Sequence, residues 1–144
     1  MKSTDALFLK KSLVKAMDKS IIGKKGEDFC ASYYEKNGYK ITERNYHCRH
    51  GEIDVIAENE CTVVFVEVKT RSENQALEAK DAVTTSKQKK IALTALYYAS
   101  CKGIEKAMRF DVFEVIHKDG KLKKFRKTEC AFEADERVLG DYYF

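Results

Sequence analysis

Gly51-Glu52-Ile53-Asp54-Val55-Ile56-Ala57, then Val63-Val64-Phe65-Val66-Glu67-Val68-Lys69, is the stretch whose reading decides the fold. Both runs are rich in β-branched residues and read as two paired β-strands joined through Glu58, Asn59 and Glu60. Successive side chains on a strand point to opposite faces. Glu52 and Asp54 are therefore expected on one side of the first strand, and Glu67 and Lys69 on one side of the second. A carboxylate buried without a partner is costly and either shifts its pKa or finds a cation. Three acids and one amine on a strand pair suggest a divalent metal with a lysine beside it. A loop at Asn59-Glu60 puts Glu52 opposite Glu67; a loop at Glu60-Cys61 puts Asp54 there instead. Opposed Cβ atoms lie ~5 Å apart, so either register brings acids close enough to favour Mg²⁺ or Mn²⁺, which take oxygen ligands.

Upstream, Gly23-Lys24-Lys25-Gly26 opens a predicted helix over Glu27 to Lys36, which Asn37-Gly38 ends. Glu27 sits at the edge of its apolar side, formed by Phe29, Cys30, Ala31, Tyr33 and Tyr34. It is either favourable charge at a helix start or a fourth acid reaching the metal. The glycine pair lacks the ending of a phosphate loop. Ser3 to Lys19 reads as a separate helix: docked, an oligomer contact, or a loose arm. Tyr39 to Cys48 reads as a strand, and His47-Cys48-Arg49-His50 as hairpin residues rather than a zinc site, since no second ligand cluster exists.

Downstream, Thr70 to Thr85 is a long connection, polar apart from Ala76, Leu77, Ala79, Ala82 and Val83. Its Arg71 and Lys80, with Lys87, are placed to bring positive charge over the acidic face. Ser86 or Thr85 is the expected N-cap of a helix over Lys87 to Cys101. Gln88, Lys89 and Lys90 lie in its first turn, where cations oppose the helix dipole; they either meet an anion such as a phosphate or are ordinary surface lysines. Met108 to His117 is a strand, Asp119-Gly120 a hairpin turn, and the chain returns in a basic strand with Leu122 and Phe125. From Glu129 onward there is no firm pattern, and Tyr142-Tyr143-Phe144 is expected to dock on the body or on a second copy.

The 144 residues suit one domain: an extension over 1–22, a body over 23–132 and a tail over 133–144. The order helix, helix, three strands, helix, two strands predicts a mixed sheet flanked by helices, an α/β domain with a parallel crossover. No apolar run reaches membrane-spanning length, and the start has no signal-peptide core. Five scattered cysteines without a C-x-x-C pair fit reduced thiols and a cytoplasmic location. The net charge of +4 conceals basic clusters that are compatible with phosphate-backbone binding and equally with solvated surface.

Gly51-Glu52-Ile53-Asp54 followed by Phe65-Val66-Glu67-Val68-Lys69, after a helix bearing Glu27, resembles the PD-(D/E)xK nuclease superfamily with its restriction-endonuclease-like fold. The closer resemblance is to the YraN-type family of bacterial proteins, themselves similar to archaeal Holliday-junction resolvases. It rests on Gly23-x-x-Gly26-Glu27-Asp28, Gly38-Tyr39, Arg44-Asn45-Tyr46, Arg109-Phe110-Asp111-Val112 and Ala131-Phe132. The resemblance implies that Asp54, Glu67 and the main-chain oxygen of Val68 bind Mg²⁺ or Mn²⁺, with Glu27 direct or through water. Lys69 would orient or deprotonate the attacking water, and Glu52 would stand behind the ligands. Gln88 would occupy the place of a helix glutamine found in related nucleases, though no tyrosine follows four residues later. Arg71, Lys87, Lys89 and Lys90 would contact nucleic acid. The implied reaction is metal-dependent hydrolysis of DNA, with branched DNA and a homodimer as the matching partners. Two other readings stay open: a nuclease-fold module that binds DNA or protein without turnover, and plain ion pairs on a half-solvated sheet.

Overall fold

The computed structural model describes residues 2–74 and 83–140. The connection over 75–82, with Lys80, and the terminal Tyr142-Tyr143-Phe144 lie outside them. Five strands, β1 (Lys40–Cys48), β2 (Gly51–Glu58), β3 (Thr62–Ser72), β4 (Ala107–Lys118) and β5 (Lys121–Phe132), form one sheet in sequence order. Only β3 and β4 are parallel, and a helix, α2 (Thr85–Lys102), lies between them in the chain. The architecture is the expected mixed α/β sheet, with α1 (Lys2–Lys36) against one face and α2 against the other.

Each face has its own core. Under α2 lie Ile53, Ile56, Phe65, Phe110, Ile91, Ala95 and Tyr98; under α1 lie Cys30, Tyr34, Val55, Val64, Val66 and Phe113. The inner strands are therefore buried on both sides, as a parallel pair requires, which is why β3 reads as an almost unbroken valine run.

The two helices expected at the N-terminus are one. α1 runs without a break across residues 22–26. Glycine in a helix interior costs up to ~1 kcal/mol, but Gly26 is buried, and a Cβ there would collide with the Thr70 hydroxyl. The glycine admits β3 to the helix backbone and sets Glu27 beside the sheet. Further back, Ile22 reaches the β4–β5 turn at Gly120. The turns before it stand clear of the sheet, with Phe8 70% and Leu13 65% exposed.

Three boundaries differ in detail from expectation. Thr84, with extended backbone, caps α2 by accepting from the Lys87 N–H; of the run Thr84-Thr85-Ser86 the outermost residue is used. Strand β5 continues to Phe132, which stacks on Phe110 at 4.8 Å. Its alternation is hidden by a shift in register near Cys130, whose φ is 49°. Past it, the short helix α3 (Glu136–Leu139) delivers Val138 and Leu139 into the core under α2. Asp119 and Gly120, both left-handed, make the expected hairpin turn.

Candidate active site

Of the two registers open to β2 and β3, the one with Val55 opposite Val66 forms. Asp54 and Glu67 are the next residues outward along it. There the backbone ladder ends, and the Asp54 side chain takes over: its Oδ2 accepts the Val68 N–H at 2.8 Å. That bond fixes the carboxylate against the strand carrying Glu67, Val68 and Lys69.

Simple alternation fails at this point. Ile53 packs under α2 and Val55 under α1, although they are two residues apart. Across from Asp54, between the rungs Arg44–Val55 and Tyr46–Ile53, lies Asn45 with φ 51°. Asn tolerates this left-handed conformation better than most residues. The expectation that Glu52 and Asp54 share a face is thereby corrected. Glu52 turns to the edge strand, where its Oε2 lies 3.3 Å from His47 Nδ1, and its side chain is about half exposed.

Asp54 and Glu67 are both largely withdrawn from water. Burial pushes the Asp54 carboxyl up, the Val68 N–H pulls it back, and Glu27 and Glu52 add repulsion. Burial, then the charge of Asp54, pushes Glu67 up to about 7. Lys87 Nζ stands 3.7 Å from Glu67 Oε1, beyond a good hydrogen bond, and the charges of Lys87 and then Lys69 pull the Glu67 carboxyl back down. Lys69, partly buried, has its pKa lowered first by burial and then by Arg71.

The other expected residues divide between those that reach this pair and those that do not. Glu27, from α1, hydrogen-bonds to Asn45 Nδ2 at 3.3 Å and lies 4.0 Å from Arg44. It sits on the site's flank, held by β1. Arg71 stands 3.9 Å from Glu114, and Glu114 is opposite Lys69 on β4. Gln88 is turned away, its Nε2 donating to the Val83 carbonyl at 2.8 Å. Lys89 is half-buried in the first turns of α2. The Lys90 stem packs over Gly51 at the start of β2.

Among the described residues no group of three or more His, Cys, Asp or Glu side chains is placed to hold a metal. The donor set at the splayed strands is smaller: two carboxylates on adjacent strands and the Val68 carbonyl. These are hard oxygen donors, the carboxylates repel one another, and such a set suits an ion that keeps several waters, as Mg²⁺ does. His47 lies on β1 beside Glu52, and His50 lies in the turn that leads into β2.

Asn45 and the Arg109–Asp111 pair are features that the strand pattern did not disclose. Asp111, 1% exposed, accepts from Tyr34 Oη at 2.6 Å, from Arg109 Nε and a terminal guanidinium nitrogen at 2.9 Å each, and from the Cys130 N–H at 3.2 Å. Arg109 and Asp111 are two apart on β4, so a same-face pair was readable in principle. The contribution of the bulged Cys130 was not.

Residues 26–115 match the model of the uncharacterised protein family UPF0102. A UPF0102 protein of Geobacter metallireducens is 40% identical over 113 residues, which cover 78% of this chain and 92% of the relative. One from Chlorobium chlorochromatii is 47% identical over 94 residues, 65% of this chain and 73% of the relative. A third, from Clostridium perfringens, is 44% identical over 121 residues, 83% and 98% respectively. The matched span contains Glu27, Asp54, Glu67, Val68 and Lys69.

Proposed function

The chain belongs to the UPF0102 family, the same family as the YraN-type proteins it resembles, and from that premise and the geometry of the site we propose that it is a metal-dependent DNA endonuclease. One observation carries the reading. Asp54 and Glu67 sit half-buried on adjacent strands, each raised by burial and Glu67 further by Asp54, and the charges of Lys87 and Lys69 offset this only in part at Glu67. Keeping two such groups in the apo protein is destabilising, and perturbed acids in a concave polar site are a mark of function.

The residues divide the work as follows. Asp54, Glu67 and the Val68 carbonyl would hold Mg²⁺ or Mn²⁺, with Glu27 reaching it through water. When bound, the ion supplies positive charge against the phosphoryl oxygen and makes water more acidic. The Val68 N–H keeps one Asp54 oxygen in place, so its carboxylate does not swing into solvent. Lys69, with its lowered pKa, orients the attacking water or takes its proton. Lys87 and Arg71 offer cations to flanking phosphates. A substrate cut symmetrically on two strands, such as a four-way junction, calls for two copies of the site and hence a dimer.

A catalytically silent binding module is the competing reading. It is favoured by the small donor set and by Glu27 being tied to Asn45. Linear, nicked and four-way DNA incubated with Mg²⁺, Mn²⁺ or EDTA separates the two. Cutting that needs metal and is lost in Asp54→Ala and Lys69→Ala is the expected result. Gel shifts without cutting, unchanged in both variants, establish the binding module instead.

A further inference from the structure

On the α1 face a cleft of about 590 Å³ runs from Glu27 and Val68, beside the acids, toward the far end of the sheet. Glu27 and Val68 line its near end, so it opens from the site itself. Its far end is built from Thr70, Ser72 and His117 on the strands and from Lys15 and Lys19 on the helix. Ser72 and His117 form the last rung of the parallel ladder, and the Glu73 N–H donates to the His117 carbonyl at 2.8 Å. The ring that follows from this placement has a buried Nδ1 with no hydrogen-bond partner. Buried polar atoms in folded proteins are almost always paired, so this one marks a missing partner.

We propose that this end of the cleft seats a backbone phosphate of a nucleic-acid strand, next to the phosphate held at Asp54 and Glu67. The inference rests on the nuclease reading of that pair. A water molecule alone does not account for the space, because a water occupies ~30 Å³ of liquid and the volume is that of a ligand pocket. The residues lining it are suited to phosphate oxygens: two hydroxyl side chains, two lysines, and the His117 imidazole, whose buried Nδ1 lacks a partner and donates in the right tautomer once the ring turns toward an acceptor. Asp18 and Glu27 line the same cleft and offset the two lysines. The cleft is thus no general trap for anions; it selects one that supplies acceptors to His117, Thr70 and Ser72 together. Successive phosphates follow one another every ~3.4 Å of axis along a strand, so a strand gripped at the acids carries its neighbours into this space. The lysines and arginine of the α2 face would then hold a different part of the substrate.

The test needs no cleavage. The full chain, with ¹⁵N-labelled histidine and EDTA present, is titrated with a 12-nucleotide single-stranded DNA while the three histidine ring signals and the anisotropy of a dye on the DNA are followed. The His117 ring signal is expected to move and those of His47 and His50 to stay. The Lys15→Ala/Lys19→Ala variant should bind ~5–10-fold more weakly, with the slope of log affinity against log salt flatter by about 1.4. His117→Gln, which keeps a polar side chain, should bind at least ~3-fold more weakly. A still His117 signal overturns the proposal, whether or not affinity falls, and so does unchanged affinity in both variants. Binding through the cleft by a protein that never cuts DNA in Mn²⁺ keeps the subsite and sinks the nuclease reading. Cutting with the cleft variants unaltered in affinity does the reverse.

Discussion

Asp111 and Asp54 are acids on inner strands of one sheet, and they are treated in opposite ways. Asp111 is sealed from water and receives four donated bonds, two of them from the Arg109 fork. Asp54 receives one backbone N–H, stands near Glu67 and Glu27, and its pKa moves up. A carboxylate given an arginine and a tyrosine is a fastening for the fold, tying β4 to α1 and β5. A carboxylate left short of donors beside another of its kind is, on the proposed reading, where a cation would bind. The contrast teaches that the count of charged residues on a strand says little; the donors around each oxygen separate structure from chemistry.

Substitution breaks the comparison most directly. Asp111→Ala takes from the Arg109 guanidinium, only 17% exposed, its two shortest bonds and leaves it Tyr39 Oη at 3.4 Å and Glu129 at 3.8 Å, and removing one member of a buried pair costs about 3–5 kcal/mol. Urea unfolding should show a loss of that size. Asp54→Ala in the same assay should cost under ~1 kcal/mol without metal, because it removes repulsion as well as one hydrogen bond. Equal losses would erase the distinction.

Metal should act on one acid and not the other. Saturation at ~100 times the dissociation constant stabilises a protein by about 2.7 kcal/mol. Thermal unfolding in Mn²⁺ should shift upward in the wild type and in Asp111→Asn, and stay put in Asp54→Asn. A shift that survives in Asp54→Asn would place the ion elsewhere.

The next effect is a pH dependence. Glu67 is raised from 4.5 to about 7 in the folded chain. A folded state that holds its proton more tightly than the unfolded state loses stability as pH rises between those values. The apo protein should therefore weaken by about 2 kcal/mol from pH 4.5 to pH 7 through this group, and Glu67→Gln should remove that part of the slope. Metal binding should release a proton near neutrality, since its ligand must be ionised. A flat difference between the wild type and Glu67→Gln would show that Glu67 is ordinary.

The smallest effect tests how α1 is set against the site. Gly26→Ala should destabilise by about 1 kcal/mol net, the clash with Thr70 outweighing the gain in helix propensity. Thr70→Ala in the same chain should restore stability by opening the contact. A stabilised Gly26→Ala single variant would mean that helix and strand are not in close contact.

Much of this was legible in the chain. Valine-rich β3, the Asp119-Gly120 turn and the Asn37-Gly38 helix end follow local rules, and the structure keeps them. What was lost has a common cause: a residue whose backbone departs from its element's rule. Cys130 and Asn45, both with positive φ, break the two-residue period by which strands are read, and so hid the end of β5 and the turning away of Glu52. Gly26 gave the reverse error, looking like a helix boundary when its role is close packing. Within the site, spacing placed Glu67 and Lys69 on one strand and Asp54 on its neighbour but left two registers open, and the fold chose the one that sets Asp54 beside Glu67. The engagement of Gln88 with Val83 and the orphaned ring of His117 depend on where chains end up in space.

A crystal soaked in Mn²⁺, with anomalous differences collected at the manganese edge, tests the central claim most directly. A peak within about 2.0–2.4 Å of carboxylate oxygens of both Asp54 and Glu67, and of the Val68 carbonyl, is the expected result. A fully substituted soak with no peak there, or with manganese bound only at surface acids, contradicts it.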